Sequence, residues 1–381
     1  MKLPQAFDEI FRLPTSLKRL ALAHFVNRCG TMVVAFLSLY FVKVHQLSLL
    51  EAGWLVALYS WGSLTSAPLA AWMCERWDAC RVLTFSLLSA GTLMLAFPFL
   101  QGWPAWSVGC FSLGLLAELG RPSGYTASGR LAPPDRLRQT FTLHRIAVNA
   151  GMAVGPALGG LLATHSYSAI FWVDGATSLL AAGVVMGLRS GQAIHQQGQT
   201  ALSRTFYRYL VGHFLGMVVF CQLFVAMPIF LVKVQGHPET YPGLLFTLNT
   251  LLILALEVML THATRDWDLR RAVALGYSLQ GLGLGLLPWS AVVGVLFFTF
   301  GEMLQCPANS AYLQSLAGGR LLGRANAWFV ACGSMAFIMS PPWVGWMLSH
   351  HGPTALWGSL TLIGFVAALW MLAMPKTEPI S

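Results

Sequence analysis

Apolar runs of roughly twenty residues recur along the whole of this chain, each long enough to cross a bilayer as a helix. They lie near 18–42, 50–73, 82–100, 104–127, 140–163, 167–188, 207–233, 241–261, 271–289, 291–314, 325–348 and 354–374, separated by short polar connections. Sustained alternation of apolar and polar residues is absent, which argues against a membrane β-barrel. In hydrocarbon every backbone N–H and C=O must be paired within the protein, and helices are the solution that remains. The pattern predicts an all-α polytopic membrane protein of about twelve spans.

Composition agrees with this reading. Of 381 residues, 56% are hydrophobic and 10% charged, with a mean hydropathy of +0.63; a soluble domain carries about 25% charged residues. Lys or Arg occurs at 2, 12, 18 and 19, at 76 and 81, at 130, 136 and 138, at 189, 204 and 208, at 265, 270 and 271, at 320 and 324, and at 376. These positions fall on the tails and on every second connection, whereas the opposite connections carry Lys43 and Lys233. The positive-inside rule then predicts that both termini face the cytoplasm. The net charge of +9 is a topology signal. Spread among short loops, it gives no reason to expect nucleic acid as a partner. No cleavable signal peptide is predicted, because the first apolar run is too long for one.

Two segments repeat at a fixed offset. Trp77-Asp-Ala-Cys-Arg81 matches Trp267-Asp-Leu-Arg-Arg271, and F-V-K-V at 41–44 matches L-V-K-V at 231–234, both 190 residues apart. Further along the offset is 185, where Pro122 matches Pro307, Pro156 matches Pro341 and Gly160 matches Gly345. The chain therefore divides into two six-span halves, 1–190 and 206–381, joined by a polar cytoplasmic linker at 191–205. Parallel repeats with a site between them at mid-depth are a transporter architecture.

Ionisable residues inside spans are costly and are functional candidates by default. Glu118 and Arg121 lie one turn apart in span four, and Arg28 in span one lies at a comparable depth, about 15 Å from the cytoplasmic end. They form either a structural salt bridge or a proton-accepting carboxylate switched by Arg121. Glu302 sits mid-way along span ten with no basic residue at its depth in its own half. It reads as an unpaired carboxylate that is protonated in one state, as a proton carrier or as a donor to a carbonyl. Asp174 in span six is expected to cap or pair near the outer gate. Glu257 is placed near the cytoplasmic end of span eight, with Arg265 and Arg271 as local partners. Asn27, Asn149 and Asn249 each line a cavity or join helices; His213 is a cavity candidate read as hydrogen-bonded structure or proton relay, and Tyr125 as cavity wall, packing or lipid-facing. Gly151, Gly155 and Gly159 recur every fourth residue and let backbones approach, and Pro156 among them predicts a bend.

Other chemistry is not indicated. H-E-x-x-H, G-x-S-x-G and G-x-x-x-x-G-K-[ST] do not occur, so no enzyme and no cofactor is expected. Cys74 and Cys80 flank a loop without a His or second Cys pair, and no metal site is expected.

Three motifs carry a resemblance. Span four has Arg121-Pro-Ser-Gly124, similar to an R-x-x-G motif. Span five has Gly151-x-x-x-Gly155-Pro156-x-x-Gly159-Gly160, similar to an antiporter motif. Span ten has Gly301-Glu-Met-Leu304 followed by Pro307. The chain resembles major facilitator superfamily transporters over nearly its whole length, and within them the twelve-span drug:proton antiporters. The first cytoplasmic loop departs from the family pattern: Glu75, Arg76 and Arg81 fit, and two glycines are missing. The resemblance implies a monomer in a bacterial inner membrane, with a small molecule, protons and the bilayer as its partners. It implies that Arg121 takes part in a proton relay, that Glu75, Arg76 and Arg81 form a gate, and that Glu257 closes against them. The function expected is proton-coupled export of small amphipathic molecules such as drugs. The alternatives are a facilitator or proton symporter for one metabolite, peptide or siderophore, and a non-transporting receptor.

Overall fold

Each apolar run forms a helix, because a chain crossing hydrocarbon has no other local way to pair its backbone. A computed structural model describes residues 9–191, 201–238, 240–317 and 321–376, and no β-strand occurs among them. We label the spans α1 (Thr15–Gly30 and Val33–Val44), α2 (Leu49–Arg76), α3 (Ala79–Ala96), α4 (Trp103–Glu118 and Gly120–Leu131), α5 (Leu137–His165) and α6 (Tyr167–Val185). The second half continues with α7 (Arg204–Phe220, extended irregularly to Val234), α8 (Thr240–Ala263), α9 (Leu269–Leu286), α10 (Ala291–Leu316), α11 (Leu322–His350) and α12 (Gly352–Leu372). The ends agree with the apolar runs to within about one turn. Most of the predicted linker, 192–200, lies outside the described residues.

Seven helices, α3, α6, α7, α8, α10, α11 and α12, are individually long and apolar enough to cross a membrane. The other five are interrupted or carry polar groups toward neighbouring helices. Here α1 and α4 are split, while α5 carries Arg138, His144 and Arg145.

The interruptions have identifiable causes. At Thr31–Met32 the backbone of α1 leaves the helix, and the N–H groups of Met32 and Val33 both donate to the Asp174 carboxylate of α6 at 3.2 Å. Asp174 is buried and supplies the acceptor that lipid cannot. Its negative charge also suits the positive end of the restarted helix. The corresponding break in α7 begins at Cys221, 190 residues beyond Thr31. In α4 the break falls at Leu119, where Pro122 has no N–H to give the carbonyl of Glu118. The repeated Trp-Asp segments are explained as caps. Asp78 accepts from the N–H of Cys80 at 2.9 Å to start α3, and Asp268 accepts from Arg270 at 2.9 Å to start α9. Side-chain hydrogen bonds from Arg270 hold the Asp268 carboxyl below the usual carboxylate range.

Within the first half α1 packs on α5 and α6, α2 on α4, and α3 on α4 and α6; in the second, α7 packs on α11 and α12, α8 on α10, and α9 on α10 and α12. Across the halves α2 meets α11, α4 meets α11, and α5 meets both α8 and α10. The closest approach involving the glycine stripe is α5 on α1. A Cβ on Gly151 would lie 2.5 Å from the Arg28 Cβ, and one on Gly155 would lie 2.9 Å from the Arg28 carbonyl oxygen. A Cβ on Gly159 would meet Met32 at 2.9 Å. The Pro156 side chain lies outside the described residues.

Gly155→Leu is expected to insert but to wedge α5 from α1, with loss of transport and of about 1–3 kcal/mol of stability. Thermal unfolding in nanodiscs, alongside flux, measures both. Wild-type stability and flux in this variant would show that the two backbones are not in tight contact.

Candidate functional site

Arg145, eight residues along α5, lies about 12 Å from the face that carries the chain ends. Its Nε donates to Glu257 Oε1 at 2.7 Å and its Nη2 to Glu257 Oε2 at 3.3 Å, a two-pronged contact with α8. Its Nη1 also donates to Glu302 Oε1 of α10 at 3.3 Å. Asn249 of α8 donates to the other Glu302 oxygen at 3.0 Å and to Thr299 at 2.9 Å. The side chains of Arg145, Glu257 and Glu302 are 13%, 0% and 6% exposed. One guanidinium from the first half thus serves two buried carboxylates of the second. Removing one partner of such a pair leaves a bare buried charge, at about 3–5 kcal/mol.

This arrangement corrects two expectations. Glu302 is paired, and its partner comes from the opposite half. Glu257 lies near the C-terminal end of α8 as expected, but pairs with Arg145 of the opposite half, while Arg265 reaches Glu9 at 2.7 Å.

From Arg145 toward the face of the chain ends, the halves stay in contact. The Thr142 and Thr261 hydroxyls are 2.9 Å apart, and Arg138 donates to the Thr264 carbonyl. Ala67 and Ala71 of α2 pack against Ala327 of α11. Asn326 donates to Thr126 at 3.3 Å. At the rim Arg324 of α11 forks onto Glu75 of α2 at 2.7 and 3.1 Å. Arg76 instead lies over Trp72 on its own helix, 4.5 Å from the ring centre, and Arg81 is exposed in the first turn of α3. Among the three loop residues the sequence singled out, Glu75 therefore meets the other half in these bonds.

Beyond Arg145 the picture reverses. Along α5, Arg138, Thr140, Phe141, Thr142 and His144 are buried, whereas Met152, Val154, Leu158 and Leu161 are exposed. Along α11, Leu322, Ala325, Asn326 and Ala327 are buried, whereas Phe337, Ile338, Met339 and Trp346 are exposed. The molecule is closed at the face of the chain ends and splayed toward the other.

The first-half cluster borders this opening. Glu118 accepts from Arg121 at 3.2 Å and from the Tyr59 hydroxyl at 3.5 Å. The Arg121 side chain is 43% exposed, although it lies well inside α4. Arg28 stands beside them on α1, and its Nε is buried without a hydrogen-bond partner among the described residues. Below it, His24 meets His144 edge to face at 4.3 Å, and Tyr125 lies 4.9 Å from His144. Gly124 makes this possible, since a Cβ there would lie 2.6 Å from the His24 ring.

The remaining polar candidates divide between the cavity and packing. Asn27 donates to Ser178 of α6 at 3.1 Å and so joins two helices. His213 is buried, stacks on Phe329 at 4.0 Å and contacts Asn309 at 3.0 Å. Asn149 is half-buried. Asn249 belongs to the Arg145 network, and Asp174 to the α1 break. Reading the sequence missed Arg145, Arg324, Tyr59, His24 and His144. An arginine about 12 Å inside a span carries the same signal that singled out Arg28 and Arg121.

A family model described as Major Facilitator Superfamily matches residues 20–341. The uncharacterized MFS-type transporter YttB of Bacillus subtilis (strain 168) is 22% identical over 383 residues, covering 96% of this chain and 96% of that protein. The structure of the human organic anion transporter MFSD10 superposes with a TM-score of 0.76 at 13% identity, over 94% of this chain and 100% of that one. The proton:xylose symporter XylE superposes at 0.73 and 15% identity, over 98% of this chain and 97% of that one. At these identities the structural likeness is one of fold.

The rim pair gives a direct test of closure. Arg324→Glu places two carboxylates together and should lower the closed population about fivefold, in keeping with roughly 1 kcal/mol for a partly exposed pair. Disulfide formation between Ala71→Cys and Ala327→Cys, in a background without native cysteines, reports that population. Adding Glu75→Arg should restore it; no recovery in the double exchange would remove the pair from the gate.

Proposed function

The chain belongs to the Major Facilitator Superfamily, and from that membership we propose that it is a proton-coupled exporter of small amphipathic molecules, of the drug:proton antiporter kind. As a member of this family it is an integral membrane transporter and not an enzyme, and it moves small molecules by secondary transport. The proposal adds direction, coupling ion and mechanism, with a single chain as the working unit. The face of the chain ends is cytoplasmic on this reading, because the basic connections gather there. The state described is then open outward. Residues 1–190 and 206–381 act as two bodies that rock about a site at mid-depth.

The observation that carries the reading is the Arg145 bridge to Glu257 and Glu302 across the two halves. Opening the cytoplasmic face pulls Arg145 away and leaves two buried carboxylates without their guanidinium. A proton on either carboxylate removes much of that cost. Protonation therefore favours the inward-open state, through its differential affinity for the two states. A proton arriving from the outward cavity neutralises one carboxylate, weakens the bridge and frees the gate. The cytoplasm, with its lower proton activity, then takes the proton. The charged pair draws Arg145 back, and substrate loaded from the cytoplasm rides this return leg outward. Glu118 and Arg121 flank the α4 break within one half, so rocking of the halves against each other does not part them. They suit the substrate side of the cycle better than the switch.

Everted vesicles with a respiration-generated pH gradient test this. Cationic, zwitterionic and anionic amphipaths are added in turn, and release of the gradient is followed with an acridine dye. The wild-type protein should release it with at least one compound. Glu302→Gln and Glu257→Gln keep shape and remove titration, and at least one should lower that release tenfold or more. Unchanged release in both variants would show that the coupling proton is carried elsewhere.

A further inference from the structure

The polar groups that border the outward opening are unequal in kind. Each of the buried carboxylates near this opening already has at least one partner. Both oxygens of Glu257 face Arg145, and those of Glu302 are taken by Arg145 and Asn249. Glu118 is engaged by Arg121 and Tyr59. Asp174 is committed to the N–H groups of Met32 and Val33. Guanidinium donors, by contrast, remain in surplus. Arg121 meets Glu118 through Nη1 alone and is 43% exposed, and the Arg28 Nε is buried without a partner among the described residues. A guanidinium has five N–H donors and no acceptor, so unmet donors beside a cavity call for an acceptor-rich ligand.

An apolar wall accompanies these donors. Phe224 of α7 stacks on Phe246 of α8 at 5.4 Å, lies 6.1 Å from Phe337 of α11 and contacts Phe220 at 5.8 Å. Phe224 and Phe337 are both exposed. They stand on the second half, on its splayed side, while the arginines stand on the first.

We propose that the transported molecule is an amphipathic organic anion, with its carboxylate or sulfonate held between Arg28 and Arg121 and its apolar body against the Phe220–Phe224–Phe246–Phe337 wall. This names the substrate class for the site proposed above and rests on that reading of the cavity. Two guanidiniums can fork onto one anionic group, and Glu118 holds Arg121 in place for it through their mutual hydrogen bond. A cationic substrate would meet Arg121 first and would find the carboxylates occupied, which penalises it by like-charge repulsion. With the membrane potential negative inside, an anion also leaves the cell down the electrical gradient.

Binding to purified protein in nanodiscs, with no gradient present, tests the class apart from the coupling. Four probes of one shape are compared by equilibrium dialysis: 2-naphthoate, naphthalene-2-sulfonate, 2-naphthylmethanol and 2-naphthylmethylammonium. At least one anion should bind tenfold or more tighter than the alcohol and the ammonium compound. Arg121→Gln and Arg28→Gln should each weaken that binding about tenfold, and Arg121→Lys should weaken it less. The charge preference of the wild-type protein stands as a measurement even if a variant fails to fold. Tighter binding of the ammonium probe, no anion binding at millimolar concentration, or anion binding untouched by the two arginine changes would overturn the proposal. The vesicle measurement would stand in each case, because it reads coupling through Glu257 and Glu302.

Discussion

A charge buried in a low-dielectric interior must keep a partner, and in this molecule one partner is shared across the boundary between the two halves. Arg145 satisfies Glu257 and Glu302 from the opposite half, and the three side chains are almost fully enclosed. Breaking the contact without a proton strands charges at a cost of several kcal/mol. In the mechanism proposed above, closure of this face is tied to the ionisation of the two carboxylates. The remaining contacts toward the chain-end face are hydroxyl pairs, small apolar residues and the Glu75–Arg324 fork. They give the closed face its fit, and the proposed proton dependence rests on the buried network alone.

The bilayer imposes a second constraint on the same helices. A transport site needs backbone irregularity and polar groups, and lipid allows neither unless the protein supplies partners. Asp174 does so for the break in α1, and the glycine stripe of α5 packs against α1 on both sides of it. The break in α7 falls at the repeated position but is held differently, with Gln222 donating to Ser340 of α11 at 2.9 Å.

Much of this was legible in the sequence. Apolar runs mark the spans almost to the turn, since a membrane helix stays apolar wherever it faces lipid. The Trp-Asp repeats also have a local meaning as caps, readable from residues that adjoin in the chain. Pairing between distant helices was less legible. Depth along a helix says how far a residue lies from a surface, and leaves open which helix it faces. Glu302 therefore read as unpaired when a partner was sought in its own half, although Arg145 carried the signature of a buried functional arginine. Asn27 and His213 read as cavity or structural residues for the same reason, and they face Ser178 and Phe329. The break at Thr31 was hidden because the apolar run continues through it unaltered.

The central claim is that ionisation of Glu257 and Glu302 holds the chain-end face shut through Arg145. It is tested most directly by the distance between the two halves at that face. Asp135 in the α4–α5 connection and Asp266 in the α8–α9 connection are 74% and 89% exposed, and both accept spin labels as cysteine variants. Pulsed electron paramagnetic resonance in nanodiscs then gives the distance distribution as the solution is taken from mildly alkaline to mildly acidic. The account predicts a shift toward longer distances on acidification. It also predicts a long distribution at both extremes when Glu257→Gln and Glu302→Gln are combined. A double variant that stays closed throughout, with the short distances of the alkaline wild-type protein, would contradict it.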